Sequence, residues 1–369
     1  MKKLLMFTAF LASIILVSCK NSGDDAGGAG GGGGTTPPTP CVMYYTTVDN
    51  QPLSFEGVDT LALFGANFIS NEFEDGYGAI TFEDNVVSIA QNAFVRNTKL
   101  SSIEIPATVK SIGKAAFNEC TSLLTVKLPN KLNSIGSEAF EKCEKLESIE
   151  IPDAVTAIED DLFTGCKSLK TVKIGKGVKS IGDRAFAECS ALVSVEIPAG
   201  VKTIGVVAFS GCSSLESVVL PTALKNVSEA MFSSCTSLSD ITIPEGVESI
   251  DAFAFSACDN LESITLPKSL KRVGEYAFLE CSNLSDIIIP EGVESIDAFA
   301  FSACDNLESI TLPKSLKRVG EYAFLACSNL AEVHISNKAS WDSIEWGEMA
   351  NPLELSGAKL YLNGEEVAE

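Results

Sequence analysis

Residues 135–152 read IGSEAFEKCEKLESIEIP, and this stretch decides the fold. Its phenylalanine, Phe140, recurs every 23 residues in eleven copies without an insertion: Phe94, Phe117, Phe140, Phe163, Phe186, Phe209, Phe232, Phe255, Phe278, Phe301 and Phe324. A fixed period of this length is the sequence signature of stacked structural repeats. The sequence therefore predicts a solenoid in which each 23-residue unit forms one turn.

Other positions repeat with the same period. A cysteine lies three residues after the phenylalanine in ten copies, from Cys120 to Cys327, and the first copy carries Asn97 there. A leucine lies six residues after it, branched apolar residues follow at nine and eleven, and a proline usually follows at twelve. The consensus is L-x-x-[VI]-x-[IL]-P-x-x-[VL]-x-x-I-G-x-x-A-F-x-x-C. One repeat cannot bury its apolar face alone, so the stack is one cooperative domain.

The end of each repeat predicts a short strand. Ile149 and Ile151 alternate with Glu150, which places the two isoleucines on one face and the glutamate on the other. Pro152 then ends the strand because it has no N–H to donate. Such strands in fixed register form a parallel sheet with rungs about 4.8 Å apart. We interpret residues 136–143 as a turn plus one helical or 3₁₀ turn that packs Phe140 inward.

The consensus resembles the leucine-rich repeat of the BspA-like family, the Treponema pallidum type of repeat, over about residues 80–335. The resemblance implies a leucine-rich repeat solenoid of the α/β repeat class, mainly β, with about eleven repeats, a parallel sheet on one face and a cap at each end. The segments 42–77 and 341–367 look like the flanks of that family. The resemblance also implies a non-enzymatic protein that binds protein ligands, in adhesion to host matrix or cell-surface proteins.

The first residues predict a secretion signal followed by a tether. Lys2 and Lys3 precede an apolar run that ends in Leu16-Val17-Ser18-Cys19, which looks like a bacterial lipobox with Cys19 as the lipidated residue. Lipidation would anchor the chain to a membrane through its acyl chains. The predicted organisation lists a signal peptide at 1–18, a lipidated Gly/Pro-rich tether at 19–40, an N-terminal cap at 41–79, the solenoid at 80–335 and a C-terminal cap at 336–369. The predicted location is the outer membrane or the cell surface.

Composition excludes several classes of function. A formal net charge of −22 over 369 residues argues against a nucleic-acid partner, which requires a basic footprint. A single histidine, His334, leaves little room for histidine catalysis or a multi-histidine metal site. We therefore predict no enzymatic activity, no metal and no cofactor, and we do not expect a small-molecule ligand. The predicted partner is a host or bacterial surface protein.

The cysteine ladder has two interpretations. Neighbouring rungs would place cysteine Cα atoms about 5 Å apart, which a disulfide can span. Each cysteine, however, has an equivalent neighbour on both sides. We therefore favour a small buried residue with a weak S–H donor, and Asn97 fits such a slot as a small polar donor.

The tenth residue after each phenylalanine predicts the binding surface. In the first five copies this outward position alternates between Glu and Lys, as in Glu104 and Lys127, whereas the later copies are uncharged and mostly β-branched. An exposed, mildly apolar strip on a repeat sheet is a candidate contact site. We define the strand face as Asp240, Thr242, Thr265, Asp286, Ile288 and Thr311. Within the repeats this row carries no Phe, Tyr or Trp, which counts against a carbohydrate-stacking groove.

Two further features bear on function. Residues 240–285 and 286–331 are nearly identical, which indicates a two-repeat duplication that either extends a binding surface or is neutral. Glu245 and Glu248 lie one repeat before Lys268, Lys271 and Arg272, so opposite charges should neighbour each other along the stack. Two alternative functions stay open: a glycan- or nutrient-binding lipoprotein, and a periplasm-facing structural scaffold.

Overall fold

The structure, a computed structural model, describes residues 40–367. The predicted signal peptide, the lipidation site Cys19 and all but the last residue of the tether lie outside the described residues. The repeats form a mainly β, parallel solenoid with one turn every 23 residues, as the periodicity predicts. The C-terminal cap adds a twelfth turn in the same register.

The first row of strands is the predicted one. Its members alternate buried and exposed side chains and pair in parallel at a spacing of 23 residues, as in Val172 beside Ile149. The row comprises β5 Leu100–Glu104, β7 Thr125–Lys127, β9 Ser148–Glu150, β11 Thr171–Lys173, β13 Ser194–Glu196, β15 Ser217–Val219, β17 Asp240–Thr242, β19 Ser263–Thr265, β21 Asp286–Ile288, β23 Ser309–Leu312 and β25 Glu332–Ile335. Its hydrogen-bonded sheet is interrupted after β15 and after β19.

A second row of two-residue strands was not predicted. It lies at the Ser-Ile or equivalent pair before each consensus glycine, and its strands also pair in parallel. The row comprises β4 Ser88–Ile89, β6 Ser111–Ile112, β8 Ser134–Ile135, β10 Ala157–Ile158, β12 Ser180–Ile181, β14 Thr203–Ile204, β16 Asn226–Val227, β18 Ser249–Ile250, β20 Arg272–Val273, β22 Ser295–Ile296 and β24 Arg318–Val319. Each repeat therefore presents two sheet faces to solvent.

The caps close both ends of the first row. The N-terminal cap comprises β1 Cys41–Thr47, α1 Thr60–Phe64, β2 Phe68–Glu74 and β3 Tyr77–Phe82. Strand β1 is antiparallel to both β3 and β5, so Ile80 lies in the antiparallel cap sheet and the parallel row begins at β5. The C-terminal cap comprises α2 Lys338–Asp342, β26 Glu345–Trp346, α3 Pro352–Leu355, β27 Lys359–Leu362 and β28 Glu365–Glu366.

The predicted helical or 3₁₀ turn around the phenylalanine is wrong, because the backbone alternates between two kinds of hydrogen bond. The N–H groups of Ala139, Glu141 and Cys143 donate to carbonyls three residues earlier, at 3.1–3.3 Å. The N–H groups between them, including that of Phe140, donate to the next repeat at 2.7–3.1 Å. Glu138 has a left-handed φ of 59°, which no right-handed helix contains.

The phenylalanines form the centre of the core, as predicted. Eleven rings stack in register with centroids 5.0–5.8 Å apart and planes within 16° of parallel, as between Phe94 and Phe117 or between Phe140 and Phe163. Apolar side chains of both strand rows surround this stack in one continuous cluster. Aromatic pairs stabilise beyond the area they bury.

The cysteine ladder contains buried free thiols. Each thiol donates to the carbonyl of the phenylalanine one repeat earlier at 3.0–3.2 Å, as Cys143 does to Phe117. Burial raises the pKa of Cys166 and Cys212 to about 12. The predicted S–H donor is therefore confirmed, whereas the side chain of Asn97 accepts at this slot, since its Oδ1 receives the N–H of Leu100 at 3.0 Å.

Candidate protein-binding faces

The strand face points outward, as the alternation predicts. Asp240, Thr242, Thr265, Asp286 and Ile288 are exposed, and Thr311 is half-buried. Ile288 is 70% exposed, close to the 73% of Val219 on the same strand row. The predicted residues therefore form an accessible surface.

The structure brings the six residues together in two groups. In the sheet formed by β17 and β19, Thr242 lies beside Thr265. In the sheet that begins at β21, Ile288 lies beside Thr311, and Thr311 lies beside His334. The interruption after β19 separates Thr265 from Ile288 in hydrogen bonding. The strand face therefore consists of two adjoining patches.

Asp286 is fixed in place at the edge of the strand face. The hydroxyl of Ser309, on the next strand, donates to Asp286 Oδ1 at 2.6 Å, and the hydroxyl of Ser285 donates to Oδ2 at 3.2 Å. Two hydroxyl donors on different carboxylate oxygens hold the orientation of the group. Asp286 can therefore serve as a fixed acceptor for a partner.

The C-terminal cap extends the outward row beyond the repeats. Tyr361 on β27 lies beside His334, and their rings stack with centroids 5.1 Å apart. A groove of about 310 Å³, lined in part by Ile288 and Pro313, adjoins His334. The expectation of a row without Phe, Tyr or Trp holds inside the repeats but not at this end. The 23-residue period could not reveal Tyr361, because the cap departs from it.

In the N-terminal part of the same row, the charged side chains pair with one another across neighbouring strands. Lys127 Nζ lies 2.5 Å from Glu104 Oε1, and Lys173 forms an ion pair with Glu150 on the preceding strand. The predicted attraction between alternating charges is confirmed at these pairs. These side chains are less available to a partner than those of the strand face.

The predicted charge neighbours in the loops are confirmed only in part. Lys317 forms an ion pair with Glu294 at 2.8 Å, and Glu245 accepts the backbone N–H of Lys268 at 3.3 Å. Arg272, by contrast, lies on the second strand row in β20 and pairs with Asp251 and Asp297. Arg318, in β24 of the same row, pairs with Asp297. The charge pattern alone does not reveal that the two arginines belong to the second strand row.

Side chains on the second row form an ionic chain. Arg272 contacts Asp251 at 3.1 Å and Asp297 at 3.0 Å, and Arg318 contacts Asp297 at 3.0 Å. Asp251 and Asp297 occupy the consensus glycine position. Beside this chain lies a groove of about 990 Å³ that extends to Trp346 of the cap.

Four aromatic residues form a second ring stack, which was also not predicted. They lie two residues before the core phenylalanine in four consecutive repeats, half-buried, with centroids 4.7–5.0 Å apart: Phe253, Tyr276, Phe299 and Tyr322. We call this set the aromatic ladder. Alignment of the repeats would have shown it as an aromatic position confined to the C-terminal copies.

Within residues 40–367, no group of three or more His, Cys, Asp and Glu side chains is arranged to hold a metal ion. In the same range no helix has the length and apolar character needed to cross a membrane.

Comparison with solved structures identifies similar solenoids. A leucine-rich repeat protein from Bacteroides ovatus is 29% identical, with a TM-score of 0.60, covering 80% of this chain and 77% of that protein. A leucine-rich cell surface protein from Faecalibacterium prausnitzii is 28% identical over 75% of this chain and 89% of its own, with a TM-score of 0.44. Comparison with curated proteins finds no match.

A family model decides the classification. The model of the BspA type leucine-rich repeat region matches residues 73–170, 156–278 and 248–360, which together span most of the chain. The matched range includes both strand rows of the repeats and most of the C-terminal cap. The chain therefore belongs to the BspA-type leucine-rich repeat family.

Proposed function

We propose that this chain is a non-enzymatic, lipid-anchored cell-surface protein that binds protein ligands through its strand face, in adhesion to host matrix or cell-surface proteins. The family supports a binding role based on the repeats. The single observation that carries the proposal is the exposed row of Thr242, Thr265 and Ile288, where earlier repeats carry paired charges.

The chemistry of the strand face suits a protein partner. Covering an apolar side chain such as Ile288 contributes about 25 cal/mol per Å² of area removed from water. The threonine hydroxyls and the fixed carboxylate of Asp286 supply hydrogen-bonding groups around it. A broad apolar centre with a polar rim is the usual composition of a protein interface.

Binding to immobilised matrix proteins and glycans tests this proposal. We expect the full chain, in detergent, to bind at least one matrix protein, and the triple variant Asp240→Lys, Thr265→Lys, Asp286→Lys to bind about tenfold more weakly or worse. The matched control is Glu196→Lys, which also reverses a charge on the outward row but lies outside the strand face. Equal binding by the triple variant and the control would reject the strand face as the site.

Tyr361 supports glycan binding as a second candidate. Its ring extends the outward row next to His334, and aromatic rings are common platforms for sugars. If a glycan is the ligand, Tyr361→Ala should abolish binding while Ile288→Ala leaves it intact. A protein ligand should show the opposite order of effects.

The proposed location rests on Cys19 and has its own test. We expect Cys19→Ser to abolish lipid labelling and to release the protein from the membrane fraction. Protease added to intact cells should remove the solenoid if it faces outward. A solenoid that stays protected would support the periplasm-facing scaffold and would contradict adhesion.

A further inference from the structure

The aromatic ladder occupies an unfavourable backbone position. Phe253, Tyr276, Phe299 and Tyr322 have φ of 56–57°, a left-handed conformation that is uncommon for bulky residues and that Asn or Gly adopts more readily. In the cap, Met349 occupies the same position with φ of 47° and is 51% exposed. Five consecutive turns therefore carry a large apolar side chain at this position. The same left-handed φ recurs at the equivalent position of the earlier repeats, as at Glu138 and Val207, so the fold imposes the conformation. What distinguishes these five turns is the large side chain that each places at this position.

The ladder residues adjoin the groove on the second strand row through the chain, although none of the four lines the groove itself. The residues immediately before the ladder residues, from Ala252 to Glu321, line that groove, and Trp346 lies at its cap end. The floor consists of Asp251, Arg272, Asp297 and Arg318, whose charges are largely satisfied by one another. The result is an apolar strip beside an elongated groove that follows the solenoid axis.

Carboxylates stand along the same groove at every second turn. Glu229, Glu275 and Glu321 line it and are exposed, with Ala252 and Ala298 at the turns between them. Among the ion pairs of residues 40–367, none involves these three glutamates, whereas Asp251 and Asp297 are both paired. These three glutamates therefore leave the groove with negative charge that a cationic partner would neutralise.

The spacing of these groups selects the shape of the partner. Two turns of the solenoid span about 9.6 Å. One turn of a polyproline II helix contains three residues and spans about 9.3 Å. A cation at every third residue of such a helix would meet Glu229, Glu275 and Glu321 in succession. Proline-rich segments in this conformation typically dock against grooves lined by aromatic residues.

We propose that the aromatic ladder and the adjoining groove bind a proline-rich segment of a partner protein that adopts the polyproline II conformation and carries a cationic side chain at every third residue. A second copy of this chain fits the charge poorly, because the protein has a net charge of −22. The chain's own Thr-Pro-Pro-Thr-Pro stretch at 36–40 contains no cation for the glutamates.

Synthetic peptides and the two tryptophans provide the test. We expect a peptide of repeated Pro-Pro-Arg to change the tryptophan emission of the full chain, because Trp346 lines the groove and contacts Trp341 at 5.0 Å between ring centroids. Repeated Gly-Ser-Arg has the same charge without the preformed helix, and repeated Pro-Pro-Glu has the helix with the opposite charge. We expect both to bind at least about tenfold more weakly.

Substitutions in the ladder and at the groove glutamates test where the peptide binds. Phe299→Asn with Tyr276→Asn removes two rings at positions whose φ suits asparagine, so the fold should persist, and we expect affinity to fall about tenfold. Glu275→Gln with Glu321→Gln should lower the affinity and its dependence on salt. The matched control is Val207→Asn, at the same repeat position outside the ladder, which should leave binding unchanged. Thermal unfolding of each variant verifies that it is folded.

Each other outcome overturns the inference. Equal binding of Pro-Pro-Arg and Gly-Ser-Arg peptides would indicate nonspecific charge attraction. Binding that is lost in Ile288→Lys but kept in the ladder variants would assign the peptide to the strand face. No peptide binding by the folded chain, or glycan binding that depends on the ladder, would also reject the proposal. The strand-face proposal stands or falls separately, since its variants lie on the other strand row.

Discussion

The first six repeats and the last five repeats contain the same interior beneath different surfaces. The core rings stack 5.3 Å apart between Phe117 and Phe140 and 5.4 Å apart between Phe255 and Phe278. On the outward row, however, Glu104 pairs with Lys127 in the first half, whereas Thr242 lies beside Thr265 in the second. The position two residues before the core phenylalanine carries the aromatic ladder only in the second half.

This comparison separates two kinds of constraint. A core side chain contacts its equivalents in the repeats above and below, so a change in one repeat disturbs its neighbours. An outward side chain contacts solvent and is limited mainly by its cross-strand neighbours. The surface can therefore diverge, and the second half, which includes the duplicated repeats, is where it became less charged and more aromatic.

Alkaline pH should produce the largest effect, and it should act on both halves equally. The folded thiols of Cys166 and Cys258 have pKa values raised to about 12 by burial, against about 8.5 in an unfolded chain. The unfolded state therefore loses protons first, and the free energy of unfolding should fall as pH rises from about 8.5 to about 12. The expected slope is up to about 1.4 kcal/mol per pH unit for each thiol.

Urea unfolding at several pH values under reducing conditions measures this slope. Cys166→Ala and Cys258→Ala should reduce it by the same amount, one in each half of the stack. A free energy of unfolding that stays constant between pH 8.5 and pH 10 would show that the thiols do not remain protonated in the folded protein.

Truncation of a core ring should be the next largest effect. Phe140→Ala and Phe278→Ala each remove a fully buried ring, and each should lower the free energy of unfolding by about 3–5 kcal/mol. Urea unfolding measures both, and the exposed Lys145→Ala in the first half serves as the control. A clearly smaller loss in one half would contradict the claim that the two interiors are equivalent.

The fold was largely predictable because burial in a solenoid depends on periodicity. Phe140 and Cys143 recur at one spacing, and equivalent residues of a regular stack must share one environment. The outward direction of Ile288 follows from strand alternation in the same way. These conclusions required no knowledge of which atoms touch.

What escaped prediction depends on contacts between repeats and on the caps. The second strand row has two residues per strand, too few for an alternation pattern. Two residues before and two residues after the core phenylalanine, the left-handed positions carry glycine only at Gly165 and Gly211, so the usual sign of positive φ is absent there in the other repeats. The aromatic ladder occupies a position that is aromatic in only four of the eleven repeats, so the consensus does not include it, and Tyr361 lies where the period has ended.

The consensus glycine tests how closely neighbouring repeats approach each other, and both halves carry it, as at Gly136 and Gly320. A Cβ at Gly136 would lie 2.5 Å from the backbone nitrogen of Lys114, whereas Asp251 occupies the same repeat position in the second half. Gly136→Ala should therefore cost about 1–3 kcal/mol, because the backbone of the preceding repeat must shift. Urea unfolding measures the cost.

Gly200→Ala is the control for this substitution. Its Cβ would meet only the flexible end of Lys179, at 2.7 Å, so the substitution should be nearly neutral. Equal effects at Gly136 and Gly200 would mean that the close approach between repeats relaxes freely. In that case Asp251 and Asp297, which occupy the consensus glycine position, would fit without a shift of the neighbouring backbone.

The smallest effect should come from the outward charges that distinguish the two halves. Lys127→Ala removes the 2.5 Å contact with Glu104, and we expect a loss of less than about 1 kcal/mol at low salt because exposed ion pairs contribute little. Thr265→Ala, at the equivalent outward position of the second half, should show a small loss that does not depend on salt. Urea midpoints at low and high salt measure both, since the Debye length falls to about 3 Å at 1 M salt. If the loss in Lys127→Ala persists at high salt, its contribution comes from packing of the alkyl stem. The alternating charges of the first half would then add no electrostatic stability that the uncharged row of the second half lacks.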